Sequence, residues 1–105
     1  MSDEVEDQAQ PEEEQFDMPL PPPTFQWLVL SLSMQAEMHM GRIQTEPGEK
    51  PKPNFKAAQH YIDMLAMVHE KTKGNLSLDE DLLINNTLTE LRFRYVQAQQ
   101  ENRQT

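Results

Sequence analysis

The chain has no cysteine, only three glycines among 105 residues, and no Lys or Arg in its first 17 positions. Without cysteine there are no disulfides, no thiolate metal sites and no cysteine nucleophile. That composition fits a reducing compartment. So few glycines leave no Gly-rich phosphate loop and no nucleophile elbow. Long apolar runs are missing too. The most apolar stretch, Phe25 to Met40, is interrupted by Gln26, Gln35, Glu37, His39 and two serines. It is too short and too polar to span a bilayer. The acidic N-terminus lacks the basic-then-apolar order of an export signal, so a cytoplasmic protein is expected. The triplets beginning at Asn75 and Asn85 match the glycosylation pattern, which has no meaning without secretion.

What the sequence does have is an acidic arm. Net charge is −9, and eight of the 18 acids lie in residues 1 to 17. The remaining ten acids face nine Lys and Arg, so the body is near neutral. A neutral body with an acidic arm does not offer the basic footprint that nucleic-acid phosphates require. Residues 1–23, ending in "PLPPP", hold too little apolar surface to offset ordering entropy and read as a disordered arm. The prolines favour an extended polyproline spacer. Docking on an aromatic groove is the competing use of that segment.

Beyond the arm the periodicity is helical. Thr24 is placed to cap a helix over "FQWLVLSLSMQAEMHM", which Gly41 ends. Residues 42–53 carry three prolines and read as a loop. Asn54 caps a second helix, "FKAAQHYIDMLAMVHEKTK", ending at Gly74, and a third follows Ser77. The corner "HEKTKGNLSLDE" is explained locally. Lys71 and Lys73 suit the negative end of a helix dipole, Gly74 supplies a left-handed residue, and Ser77 with Glu80 has capping-box spacing. Acids crowd the start of the third helix, which argues against an anion site there. The expected fold is all-α, one helix plus an antiparallel helical hairpin over residues 24–100. Residues 101–105 are expected to form a disordered tail.

The helix faces carry the functional signal. The second helix has one apolar stripe: Phe55, Ala58, Tyr61, Ile62, Leu65 and Val68. The first has two. Phe25, Val29, Leu32 and Ala36 share one face, and Trp27, Leu30, Met34 and Met38 lie roughly opposite. The third repeats this, with Ile84, Leu88, Leu91 and Tyr95 on one face and Leu82, Phe93 and Val96 on another. A helix with two apolar faces needs two neighbours, and three short helices cannot supply them all. So small a domain gains only ~3–5 kcal/mol from its own core. Trp27, Leu30, Met34, Met38, Leu82, Phe93 and Val96 are therefore the candidate partner-binding residues. The partner is expected to be a second copy, in a dimer or higher oligomer, or another helical protein.

Catalytic and metal readings are weaker. Met38, His39 and Met40 are adjacent and so point about 100° apart on a helix, away from a common ion. His69 reads as a half-buried partner of a carbonyl or carboxylate. His39 or His60 with Ser33, and the lone carboxylates Glu37, Asp63 and Glu90, form no poised pair. Arg92 and Arg94 around Phe93 resemble an RNA surface, but flank charges or interhelical ion pairs with Asp63 or Glu37 explain them more simply. No enzyme activity, cofactor, metal, nucleic acid or small-molecule substrate is expected. The alternative function is a peripheral membrane or envelope protein using the apolar first helix, which the preceding acidic arm disfavours.

The segments "FQWLVLSLSMQAEMHMGRI" and "AAQHYIDMLAMVHEKTKGNLSLDEDLLINNTLTELRFRYVQ" resemble a family of small bacterial proteins, domain of unknown function 1844. The corner "EKTKGNL" and the ending "LRFRYV" are the most specific parts, and the likeness covers residues 25 to 97. The loop from Arg42 to Pro53 is richer in proline than the family pattern. The resemblance implies a small helical protein and brings no reaction, cofactor or catalytic residue with it.

Overall fold

The computed structural model describes residues 19–42, 48 and 52–104. Residues 1–18, 43–47, 49–51 and Thr105 lie outside the described residues. The expectation of disorder in the arm falls mostly there. Among the described residues there are three α-helices: α1 (Phe25–His39), α2 (Phe55–Lys71) and α3 (Leu78–Gln104). No strand occurs among the described residues.

The helix starts follow the side-chain chemistry of the sequence. Thr24 Oγ1 accepts from the Trp27 amide at 3.1 Å, and Asn54 Oδ1 accepts from the Ala57 amide at 3.1 Å. Each satisfies a donor that has no partner within its helix. At α3 the capping box is reciprocal. The Ser77 amide donates to Glu80 Oε1 at 2.9 Å, and the Glu80 amide donates to Ser77 Oγ at 3.1 Å.

The ends are equally specific. Gly41 takes a left-handed φ of 82°. Its amide bonds the Met38 carbonyl at 3.0 Å, and the Arg42 amide bonds the Glu37 carbonyl at 3.1 Å. This is the double closure of a Schellman motif. The Asn54 amide then reaches the His39 carbonyl at 2.6 Å, pinning the start of α2 to the end of α1. α2 ends at Lys71, short of Gly74. The Thr72 hydroxyl bonds the Val68 carbonyl at 2.7 Å and competes with continuation of the helix. Gly74 then turns the chain with φ 85°.

Each helix touches both others. The core is the predicted stripe from each: Val29 and Ala36 of α1, Ala58, Ile62 and Leu65 of α2, and Ile84, Leu88 and Leu91 of α3. Met40 and Ala98 join it, and the sequence reading assigned neither to the core. Phe55 and Tyr95 close one side edge to face, centroids 5.8 Å apart, and the Tyr95 hydroxyl donates to the Phe55 carbonyl at 3.4 Å.

α3 also runs beyond residue 100. Residues 101–104 are helical, so the domain does not end in the expected tail there. Packing and charge support the extension. Ala98 is buried, and the Arg42 guanidinium approaches Gln97 Oε1 at 3.4 Å and Glu101 at 3.7 Å.

Candidate functional site

The register between α1 and α3 is set by charge. The Arg94 guanidinium donates to Glu37, 57 residues earlier, and also to Glu90 one turn back on α3 at 2.8 Å. The Arg42 contacts with Gln97 and Glu101, 55 and 59 residues on, bracket that offset toward the C-terminal ends. The two helices therefore run parallel, with each α1 residue level with the α3 residue about 57 later. Glu37, foremost through its hydrogen bond and then through its charge, holds the Arg94 guanidinium above its ordinary pKa. Ser33, Glu37, Thr87, Glu90, Leu91 and Arg94 line a small groove of about 110 Å³ between the helices. Both carboxylates there are committed to Arg94, so neither is a poised base.

The orientation of the outer faces follows from helix geometry at about 100° per residue. His39 stacks on Tyr61 and marks the side of α1 that meets α2. Going round α1 from there, the core residue Ala36 comes first, then Ser33 and Glu37 facing α3, then Leu30, Met34 and Trp27. On α3 the side that meets α2 is marked by Tyr95, bonded to Phe55, and by Asp81, 3.5 Å from His69. Going round from there come Leu91, then Arg94 facing α1, then Glu90, Phe93 and Leu82. The second apolar faces of α1 and α3 thus turn to the same side of the bundle, away from α2. The groove floored by Glu37 and Arg94 runs between them.

These faces are open. Trp27 is 37% exposed, Phe93 66%, and Leu30, Met34, Leu82 and Val96 lie between those values. Met38 differs from the other six in being half-buried. Sequence reasoning missed Leu78, 73% exposed, one helical turn before Leu82 on the same face. The four-residue spacing between Leu78 and Leu82 was the available signal. Leu28 and Met67 are also exposed but stand apart from this surface. Asn86, Thr89, Glu90 and Phe93 border a broad depression beside it.

The model of the family described as Domain of unknown function (DUF1844) matches residues 22–97. The chain belongs to this family. The DUF1844 match takes in α1, α2 and most of α3, so the outer face up to Val96 lies within the family domain, and the acidic arm precedes it. No curated protein and no solved structure matches the chain.

The remaining candidates separate. His39 stacks on Tyr61 while Met40 points into the core, so "MHM" does not converge. His60 lies edge-on to Tyr61 at 5.2 Å. His69 pairs with a carboxylate, as the sequence implied. Asp63 accepts from Gln59 at 2.9 Å rather than from an arginine. Among the described residues no three His, Asp or Glu side chains gather as a metal site needs. No helix among them is long and apolar enough to cross a membrane.

Proposed function

We propose that this protein is a non-enzymatic helical module of the cytoplasm that works by self-association through the outer face of α1 and α3. The observation that carries this reading is the common orientation and exposure of Trp27, Leu30, Met34, Leu82, Phe93 and Val96. A single exposed Leu is ordinary, but a shared side of large apolar residues with a polar groove is the surface of an interface. Aromatic and Met side chains are also the types enriched where proteins meet.

Energetics support the same reading. Fully burying one such side chain contributes about 1.5–3 kcal/mol. Covering six therefore matters greatly to a domain whose own net stability is only a few kcal/mol, of the order of ~3–5 kcal/mol. The acidic arm gives the assembly net charge, which keeps it soluble.

The test is light scattering behind size exclusion on the full chain over a wide concentration range. A dimer or larger species at the higher concentrations supports self-association. A monomer throughout rejects it and leaves the face to a different helical protein or a lipid surface. Pull-down and vesicle co-sedimentation then distinguish those two.

A further inference from the structure

The outer face of α3 has an internal order. Its seam runs Leu78, Leu82, Asn86, Thr89, Phe93, Val96, with three- and four-residue steps after Leu82 as in a heptad repeat. The pattern is two apolar, two polar, two apolar, and it reads the same from either end. A surface of that kind is self-complementary under a two-fold axis perpendicular to the helix, where residue i meets j and j meets i.

We infer that the occupant of this face is a second copy of the chain, packed antiparallel about an axis level with Thr87 and Leu88. Leu82 then meets the partner's Phe93, Leu78 meets the partner's Val96, and Asn86 meets the partner's Thr89. The central amide and hydroxyl can bond one another, so the polar pair fixes the register rather than leaving buried groups unsatisfied. This deepens the self-association reading and rests on it.

Two independent observations select the antiparallel copy. The first is charge. α3 begins with Asp79, Glu80 and Asp81 and carries Arg92, Arg94 and Arg103 in its second half. An antiparallel pair brings each acidic start beside the partner's arginines, whereas a parallel pair sets acid on acid. Arg92 gains most. It is exposed, and no described residue pairs with it, although its neighbour Arg94 holds two carboxylates. In the antiparallel register it lies within two residues of the level of the partner's Asn85, about 3 Å along the axis, and on the acidic half of the partner's helix.

The second observation is α1. The 57-residue offset of the Glu37–Arg94 pair carries the same axis to a level between Leu30 and Ser31. Trp27 then stands opposite the partner's Met34, and Leu30 opposite its own copy. An axis derived from α3 alone thus pairs the apolar residues of α1 as well. Two α1–α3 layers stack face to face, with α2 outermost on each side.

Because the native chain has no cysteine, the register can be read by disulfide trapping. Leu82→Cys and Phe93→Cys chains are made separately and oxidised alone or mixed. Light scattering is run on the same samples. The expected result is a covalent dimer only in the mixture, because each single variant places its two thiols roughly 16 Å apart along the axis, at ~1.5 Å per residue. The exposed pair Asn86→Cys and Thr89→Cys repeats the mixed reaction without removing an apolar side chain. Efficient trapping of the single Leu82→Cys chain would mean a parallel pair and overturn the inference. A dimer by light scattering that traps with neither mixture overturns the geometry but leaves self-association standing. A monomer by light scattering in the native chain overturns both.

Discussion

Arg94 of α3 holds Glu37 of α1, and the same guanidinium also holds Glu90 at 2.8 Å. Glu37 is mostly enclosed, with its side chain 15% exposed, while Arg94 keeps 40%. A pair in that position is screened on one side only, so its worth lies between a surface bridge and a buried one. Glu37→Gln should lower stability by about 1 kcal/mol, less in high salt. Urea unfolding at low and high salt checks both parts. Arg94 has a raised pKa, so its contribution is complete below the unfolded value and fades only as pH rises through the folded one. Both values lie in strong alkali, as always for arginine. The stability lost in Glu37→Gln should therefore not depend on Arg94 titration anywhere near neutral pH.

Gly74 tests the corner between α2 and α3. Its φ is 85°, and a Cβ added there would meet nothing within 4 Å. Any cost of substitution is therefore backbone strain, free of steric collision. Gly74→Val should destabilise by about 1 kcal/mol or more. Gly74→Asn should cost less, since Asn tolerates the left-handed region. Equal melting temperatures for native chain and both variants, by circular dichroism, would contradict this account of the turn.

The capping box gives a companion prediction at the next residues. Ser77→Ala removes the acceptor for the Glu80 amide at the first turn of a 27-residue helix. The expected loss is about 1 kcal/mol. Ser77→Asp should restore most of it, because a carboxylate accepts the same bond and suits the positive helix end. Thermal melts of the two variants side by side decide the matter.

Local chemistry made much of the fold legible. Thr24, Asn54 and the Ser77–Glu80 box mark helix starts by residue type alone, and the i, i+3, i+4 stripes name the core of each helix. The end of α3 was harder to read because its stabilisation is not local. Residues 99–104 are polar throughout, and among the groups supporting this end of the helix is Arg42, distant in sequence, from the end of α1. Met40 is the C-cap of α1 and follows Ala36 by four residues on the same face, so its burial in the core cluster was available from the spacing. The outer face was visible as two apolar faces on separate helices. That they share one side of the bundle required the Glu37–Arg94 register, which the sequence offered only as one of two pairings, the other being Asp63.

Trp27 separates core from surface most directly. It is the only tryptophan of the chain, and 37% of it is open. Trp27→Glu should leave far-UV helicity and urea stability of the isolated fold near the native values, because the tryptophan packs outside the buried cluster. It should weaken association by about 2 kcal/mol or more, the scale of an interface aromatic, which is roughly a thirtyfold rise in dissociation constant. Leu91→Ala is the contrast. Leu91 is 1% exposed, and its truncation leaves a cavity at the centre of all three helices. That change should cost 2–5 kcal/mol of folding stability, on the order seen for such cavities. Dilution of the native protein supplies a readout without mutation: Trp27 emission should shift to the red as copies separate and water reaches the indole. If Trp27→Glu instead unfolded the chain as Leu91→Ala does, the indole would belong to the intrachain core, and the outer face would begin at Leu30.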